Sequence, residues 1–239
     1  MTEIIPAILS KNYDDLKNKI SLVRKIVPIV QVDICDGIFA PNLTWPFQGT
    51  GSEGISNASL DAHFVKILSE EEGMPFWEDI DFELDLMVHD AVQNFDIYTK
   101  LSPKRIFFHL EAVGDLRDFK DFLEGIDVYV RDSIQIGVAI KPSTPLEQIF
   151  SIANNIDCVQ FMGNDKISFG GVSLDERVYA KVRELREKYF DMPISVDIGV
   201  NENTAPLLVE AGATRLVAGS AIYNADDIID TIEKFQNLS

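Results

Sequence analysis

Residues able to move a proton on and off carbon stand out at two places in the sequence. In 28–45 an apolar run through Ile29, Val30 and Val32 breaks into Asp33, Asp36 and Gly37, and Gly37, Pro41 and Asn42 then mark a loop. A buried parallel strand that ends by presenting carboxylates to a cleft has this pattern; so does a strand that simply ends in solvated acids. Further along, Pro193-Ile-Ser-Val-Asp197-Ile-Gly199 repeats the motif with one acid. Two carboxylates on opposite walls of a cleft suit the removal and return of a proton on opposite faces of a substrate carbon. A second chemistry is written in Phe169-Gly170-Gly171, Asp197-Ile198-Gly199 and Gly219-Ser220-Ala221. Glycine lets backbone amides approach an anion closely, and a helix N-terminus after the last turn would add its dipole.

These residues need elements to bring them together. Short apolar runs at Ile4–Leu9, Ile29–Asp33, Phe82–Val88, Arg105–Leu110, Ile134–Ile140, Asp157–Met162, Pro193–Asp197 and Arg215–Ala218 alternate with amphipathic segments such as Tyr13–Ile26, Leu174–Tyr189 and Ile228–Phe235. Eight such units without a linker or a break in composition predict one parallel α/β domain over 1–239, a (β/α)8 TIM barrel. Thr144-Pro145-Leu146-Glu147 reads as an N-cap, a first-turn proline and a capping-box glutamate, and Gly212 as a helix C-cap. The stretch 38–80 is longer than an ordinary strand-to-helix connection. It is expected to be an insertion after the second strand, with a helix near Leu60–Leu68, serving as a lid, a partner-binding lobe or a tolerated surface segment.

In such a barrel the C-terminal strand ends share one mouth. That gathers Asp33, Asp85, His109 with Glu111, Lys141, Met162 and Asp197. Three converging carboxylates raise one another's pKa unless something positive intervenes, which implies a shared proton or a bound cation. The glycine turns of the last three strands, Gly170, Gly171, Gly199 and Gly219 with Ser220, then form a phosphate site in one sector.

The whole-chain numbers set limits. The 239 residues are 46% hydrophobic and 25% charged, with net charge −18. With a pI near 4.4, the chain is not expected to bind nucleic acid or an anionic membrane, and an anionic substrate needs a local pocket. Cys35 and Cys158 lie in apolar strand-like runs and read as buried free thiols of a reducing compartment. No signal peptide or membrane span is read, so a cytoplasmic location is expected.

Matching segments run nearly end to end with one family: Pro6-Ala7-Ile8-Leu9-Ser10, Val32-Asp33-Ile34-Cys35-Asp36-Gly37, Pro41-Asn42-Leu43-Thr44, Asp85-Leu86-Met87-Val88, His109-Leu110-Glu111-Ala112, Gly137-Val-Ala-Ile-Lys-Pro142, Phe169-Gly170-Gly171, Val196-Asp197-Ile198-Gly199-Val200 and Ala218-Gly219-Ser220-Ala221-Ile222. The chain resembles the ribulose-phosphate 3-epimerases. The resemblance implies a barrel that epimerises C3 of a pentulose 5-phosphate through an enediolate, with Asp33 and Asp197 as the acid/base pair. It implies a phosphate held by the glycine turns and Ser220, Met87 and Met162 as an apolar cushion beside the reacting carbons, and a homo-oligomer. Cys35, where the family usually has methionine, is expected to line the substrate with Met87 and Met162. No organic cofactor is implied.

The departures bear on the metal. The family usually binds a divalent ion with two histidines and the two aspartates; Gln31 and Asp85 occupy the histidine positions here, and Ala7 replaces a serine. A ligand set of Gln31, Asp33, Asp85 and Asp197 is all oxygen and suits Mg²⁺ or Mn²⁺ better than zinc or ferrous iron. His89 and His63 are read as surface residues that could otherwise enter the site. Two readings stay open: an active sugar-phosphate epimerase, for ribulose 5-phosphate or another ketose phosphate, and a paralogue that binds a phosphorylated ligand without turning it over. The related decarboxylase and hexulose-phosphate synthase chemistry needs a lysine between the two strand-two acids, where this chain has Ile34 and Cys35.

Overall fold

The computed structural model describes residues 2–49, 54–169 and 171–238. Eight parallel strands close into a barrel in sequence order: β1 Glu3–Ile8, β2 Ile29–Cys35, β3 Asp81–Met87, β4 Arg105–His109, β5 Gln135–Ile140, β6 Cys158–Met162, β7 Ile194–Asp197 and β8 Arg215–Ala218, with β8 pairing back on β1. The helices between them are α1 Tyr13–Val23, α2 Ala62–Leu68, α3 Phe95–Thr99, α4 Leu116–Gly125, α5 Val128–Ser133, α6 Glu147–Ile152, α7 Arg177–Lys188, α8 Ala205–Ala211, α9 Ser220–Tyr223 and α10 Ile228–Gln236. The predicted barrel is the observed one. No helix among the described residues is long and apolar enough to cross a membrane.

Side-chain alternation along each strand sorts the sequence into two cores. Val30, Val32 and Ile34 on β2, and Leu84 and Leu86 on β3, point outward into a large apolar layer shared with the helices. The intervening residues point into the barrel. Low in the bore they are charged: Glu83 meets Arg105 at 2.7 Å and also Arg215, whose Nε donates to Ser195 at 3.0 Å. Higher up come the acids and then a small apolar cluster of Cys35, Met87, Ala139 and Met162.

The long β2–α2 connection is not a detached lobe. Trp45, Phe47 and Ile55 are buried in the main core, and antiparallel bridges Asp36–Leu43 and Phe47–Leu60 fold the segment back on itself. The Thr44 hydroxyl donates to the Asp33 carbonyl and accepts from the Cys35 N–H, both at 2.8 Å, so the loop is fastened to the strand end that carries Asp33. Residues 50–53 of its glycine-rich part lie outside the described residues.

Element ends depart from the sequence reading by a few residues, and one predicted cap does not form. Helix α1 stops at Val23, and β2 continues to Cys35. The capping box at Thr144 does not form: α6 begins at Glu147 with no side-chain cap, because the Thr144 hydroxyl is taken by Glu111. Gly212 does cap α8, at φ 112, and a Cβ there would meet Arg186 Cγ at 2.8 Å.

Candidate active site

The neighbouring strands bring Asp33 level with Asp85, and Asp197 level with Met162. Each acid points inward by the alternation of its strand, and all three are buried. One carboxylate oxygen from each lies within 4.8 Å of the others. Gln31, two residues before Asp33 and on the same face, links the pair: its Nε2 donates to Asp33 Oδ1 at 2.9 Å and to Asp197 Oδ2 at 3.3 Å. Asp85 is held from the other side, by His109 Nε2 at 2.8 Å and Gln160 Nε2 at 3.4 Å. His109 Nδ1 faces Glu111 at 3.9 Å. Lys141 Nζ lies over the Phe39 ring at 4.9 Å, and that ring packs beside His109 at 5.2 Å.

Burial and repulsion set the protonation. Desolvation first, then the charges of Asp197 and Asp85, push Asp33 well above the usual carboxylate range. Asp197 is raised to about 7, by burial and by Asp85, against the pull of the Ile198 N–H and Gln31. Burial works against a charged His109, but the Asp85 charge and hydrogen bond outweigh it and raise its pKa. Near neutral pH the Asp33–Asp197 pair therefore retains a proton between its members, and one acid with one base is what proton exchange at carbon requires.

A cleft open at its mouth runs from these acids to the glycine turns after β6, β7 and β8. Its lining includes Asp33, Asp197, Met87 and Met162 at one end and Gly171, Gly199, Gly219 and Ser220 at the other. Gly170 lies outside the described residues. Gly199 must be glycine: at φ 77 a Cβ would press on the Leu174 backbone at 2.6 Å. Asp85 and Gln31 sit beneath the cavity, and Cys35 is fully buried behind Met87, 3.9 Å from its sulfur, rather than in the lining. Burial also pushes the Cys35 thiol up, so it is inert.

The donor set can hold a metal ion. The three carboxylates offer converging oxygens, and Gln31 Oε1 is buried with no hydrogen-bond partner. The histidines set aside in the sequence reading do not enter. His63 stacks on Tyr13 and pairs with Glu72 at 2.6 Å. His89 pairs with Asp36 at 2.6 Å, and the Asp36 carboxylate also accepts the backbone N–H groups of Ile38, Phe39 and His89. That carboxylate ties the β2 and β3 loops together.

Comparison with known proteins bears on identity. The ribulose-phosphate 3 epimerase family profile matches residues 3–223. The chain belongs to the ribulose-phosphate 3-epimerase family. Relatives in it include the ribulose-phosphate 3-epimerase of Bacillus subtilis, 29% identical over 95% of this chain and 94% of the relative, and that of Methanocaldococcus jannaschii, 30% identical over 99% and 90%. Among solved structures, KGPDC from Streptococcus mutans superposes with TM-score 0.67 at 13% identity, covering 100% of this chain and 97% of the other. A 3-hexulose-6-phosphate synthase gives 0.64 at 18%, covering 100% and 99%. At those identities the structures speak for the barrel alone. This ribulose-phosphate 3-epimerase family member is a sugar-phosphate epimerase, an isomerase.

One residue of the site, Gln160, escaped the sequence reading, and Ile198 entered it only as part of the Asp197-Ile198-Gly199 turn. Gln160 is a fully buried polar residue on β6; its place two before Met162, on the inward face, was the available signal. Ile198 holds a left-handed backbone at φ 74. Nothing in its type announces that, since β-branched residues avoid the region.

Proposed function

We propose that this epimerase interconverts D-ribulose 5-phosphate and D-xylulose 5-phosphate by two-carboxylate proton transfer at C3. The observation that carries the reading is the Asp33–Asp197 pair, bridged by one amide and opening on the cavity that ends in Gly171, Gly199, Gly219 and Ser220. With the phosphate seated at those turns, C3 lies between the acids. The ionised member of the pair takes the C3 proton, and the protonated member delivers one to the opposite face. β2 and β7 are separated by β8 and β1 around the ring, so the two acids approach from different walls. The raised pKa values narrow the gap between a carboxylate and a carbon acid. Met87 and Met162 keep water from the enediolate, and Gln31 holds the two carboxylates in register.

Asp33, Asp85, Asp197 and the Gln31 carbonyl would hold a divalent ion, with Mg²⁺ or Mn²⁺ favoured by an all-oxygen set. When bound, it would supply positive charge to the enediolate oxygens.

The test is proton NMR of D-ribulose 5-phosphate in D₂O with metal-stripped protein, then with Mg²⁺, Mn²⁺ and Zn²⁺ restored in turn. Deuterium at C3 with xylulose 5-phosphate formation, faster with Mg²⁺ or Mn²⁺ than with Zn²⁺, is expected. No exchange with any metal overturns the substrate assignment.

A further inference from the structure

We infer that Ile198 sets the length of sugar chain this site accepts, excluding ketose phosphates one carbon longer than a pentulose. The inference rests on the proposed seating of C3 at the acids and phosphate at the glycine turns. In a pentulose 5-phosphate, two carbons and the ester oxygen separate C3 from phosphorus; a hexulose 6-phosphate puts one more carbon and hydroxyl into that interval. On the protein side the same interval is a single residue, because Asp197 belongs to the acid pair and Gly199 to the phosphate turns.

Ile198 is built to be an unyielding spacer. Its φ of 74 places a β-branched side chain in the left-handed region, a true outlier for that residue type, and such strain persists only where the surroundings hold it. They do so from both sides. The Ile198 N–H donates to Asp197 Oδ1 at 2.7 Å. Its carbonyl lies so close to Gly163 that a Cβ there would stand 1.8 Å from the oxygen. Ile198 lines the cavity, and its side chain packs on the buried cluster that includes Met87, Met162 and Ile167. An additional CHOH would therefore meet apolar surface, losing volume to the branched side chain and leaving its hydroxyl unpaired. Glycine, as at the next position, would adopt the same turn without strain and without the side chain.

The test compares a pentitol 5-phosphate with a hexitol 6-phosphate, reduced analogues that cannot react, by titration calorimetry against wild type, Ile198→Gly and Ile198→Ala. Wild type is expected to prefer the pentitol by about tenfold or more. Both variants should bring the two affinities within about threefold, mainly by strengthening hexitol binding. Ile198→Gly relieves the strained backbone, and Ile198→Ala retains it, so agreement between them assigns the effect to the side chain. An unchanged ratio in both, or an equal loss for both ligands, overturns the inference. C3 exchange in D₂O is measured alongside. Length-selective binding without exchange would refute the epimerase reaction and leave the spacer standing; binding of neither analogue would refute both.

Discussion

Asp33, Asp85 and Asp197 place carboxylate oxygens within 4.8 Å of one another in a buried site, so their protonation governs both reaction and stability. Asp33→Asn and Asp197→Asn should each lower C3 exchange by about a thousandfold or more while leaving binding of a sugar phosphate within about threefold, since each removes one proposed proton-transfer group and neither touches the glycine turns proposed to hold the phosphate. Near-normal turnover in either variant would end the two-acid assignment. The effect on stability has the opposite sign. With Asp197 at about 7 when folded and near the ordinary 3.8 when unfolded, the folded chain holds a proton that the unfolded chain releases across that interval, so this residue makes stability fall as pH rises from about 4 to 7. In chelated protein, Asp197→Asn should therefore be more stable than wild type above pH 7, by at most about 4 kcal/mol, and no more stable near pH 3. Thermal melts across that range check it. Asp85→Ala should weaken Mn²⁺ binding about tenfold or more by calorimetry; unchanged affinity would remove Asp85 from the ligand set.

Elements were legible in the sequence to the extent that one period governed them. The eight apolar runs became β1–β8 with ends shifted by a residue or two, because a strand buried on both faces is hydrophobic almost throughout. Helix starts were harder: Thr144 has the right type for a cap, but its hydroxyl goes to Glu111, a partner that only the fold supplies. Loop roles were also hidden. Asp36 reads as a second catalytic-looking acid, yet its carboxylate accepts three backbone N–H groups and pairs with His89, joining the loops after β2 and β3. Asp36→Ala orphans those donors and should cost about 2–4 kcal/mol in urea unfolding, while weakening substrate binding more than it slows exchange of bound substrate. A variant as stable as wild type would show that the loops are held by the apolar packing of Trp45, Phe47 and Ile55 instead.

On the scale of the whole barrel, the floor of the bore is ionic where apolar residues could have filled it. Glu83 on β3 meets Arg105 on β4 and Arg215 on β8, and Arg215 also reaches Glu3 on β1 at 2.7 Å, so one network spans strands on different sides of the closed sheet. The pattern was visible in the sequence as charged residues inside otherwise apolar runs. Its purpose was not, because a charge at the start of a strand reads equally well as solvated, and only closure of the barrel brings the partners together. Glu83 itself has no exposed surface, so its carboxylate compensates two guanidinium groups that water reaches poorly. Removing it leaves Arg105 without a carboxylate partner and Arg215 with Glu3 alone, and an uncompensated buried cation costs more than the pair itself contributes. Glu83→Ala should therefore lower unfolding free energy by about 3–5 kcal/mol, with Glu83→Gln falling between it and wild type. Exposed ion pairs weaken as salt rises, whereas this loss should persist at about 1 M salt. Because the network lies below the cavity, exchange by the folded Glu83→Ala fraction should change far less than in Asp33→Asn. Urea titrations at low and high salt, paired with the D₂O assay, test this. A loss that vanishes at high salt would make the floor of the barrel wet, and a loss of exchange as deep as that of Asp33→Asn would make Glu83 part of the site.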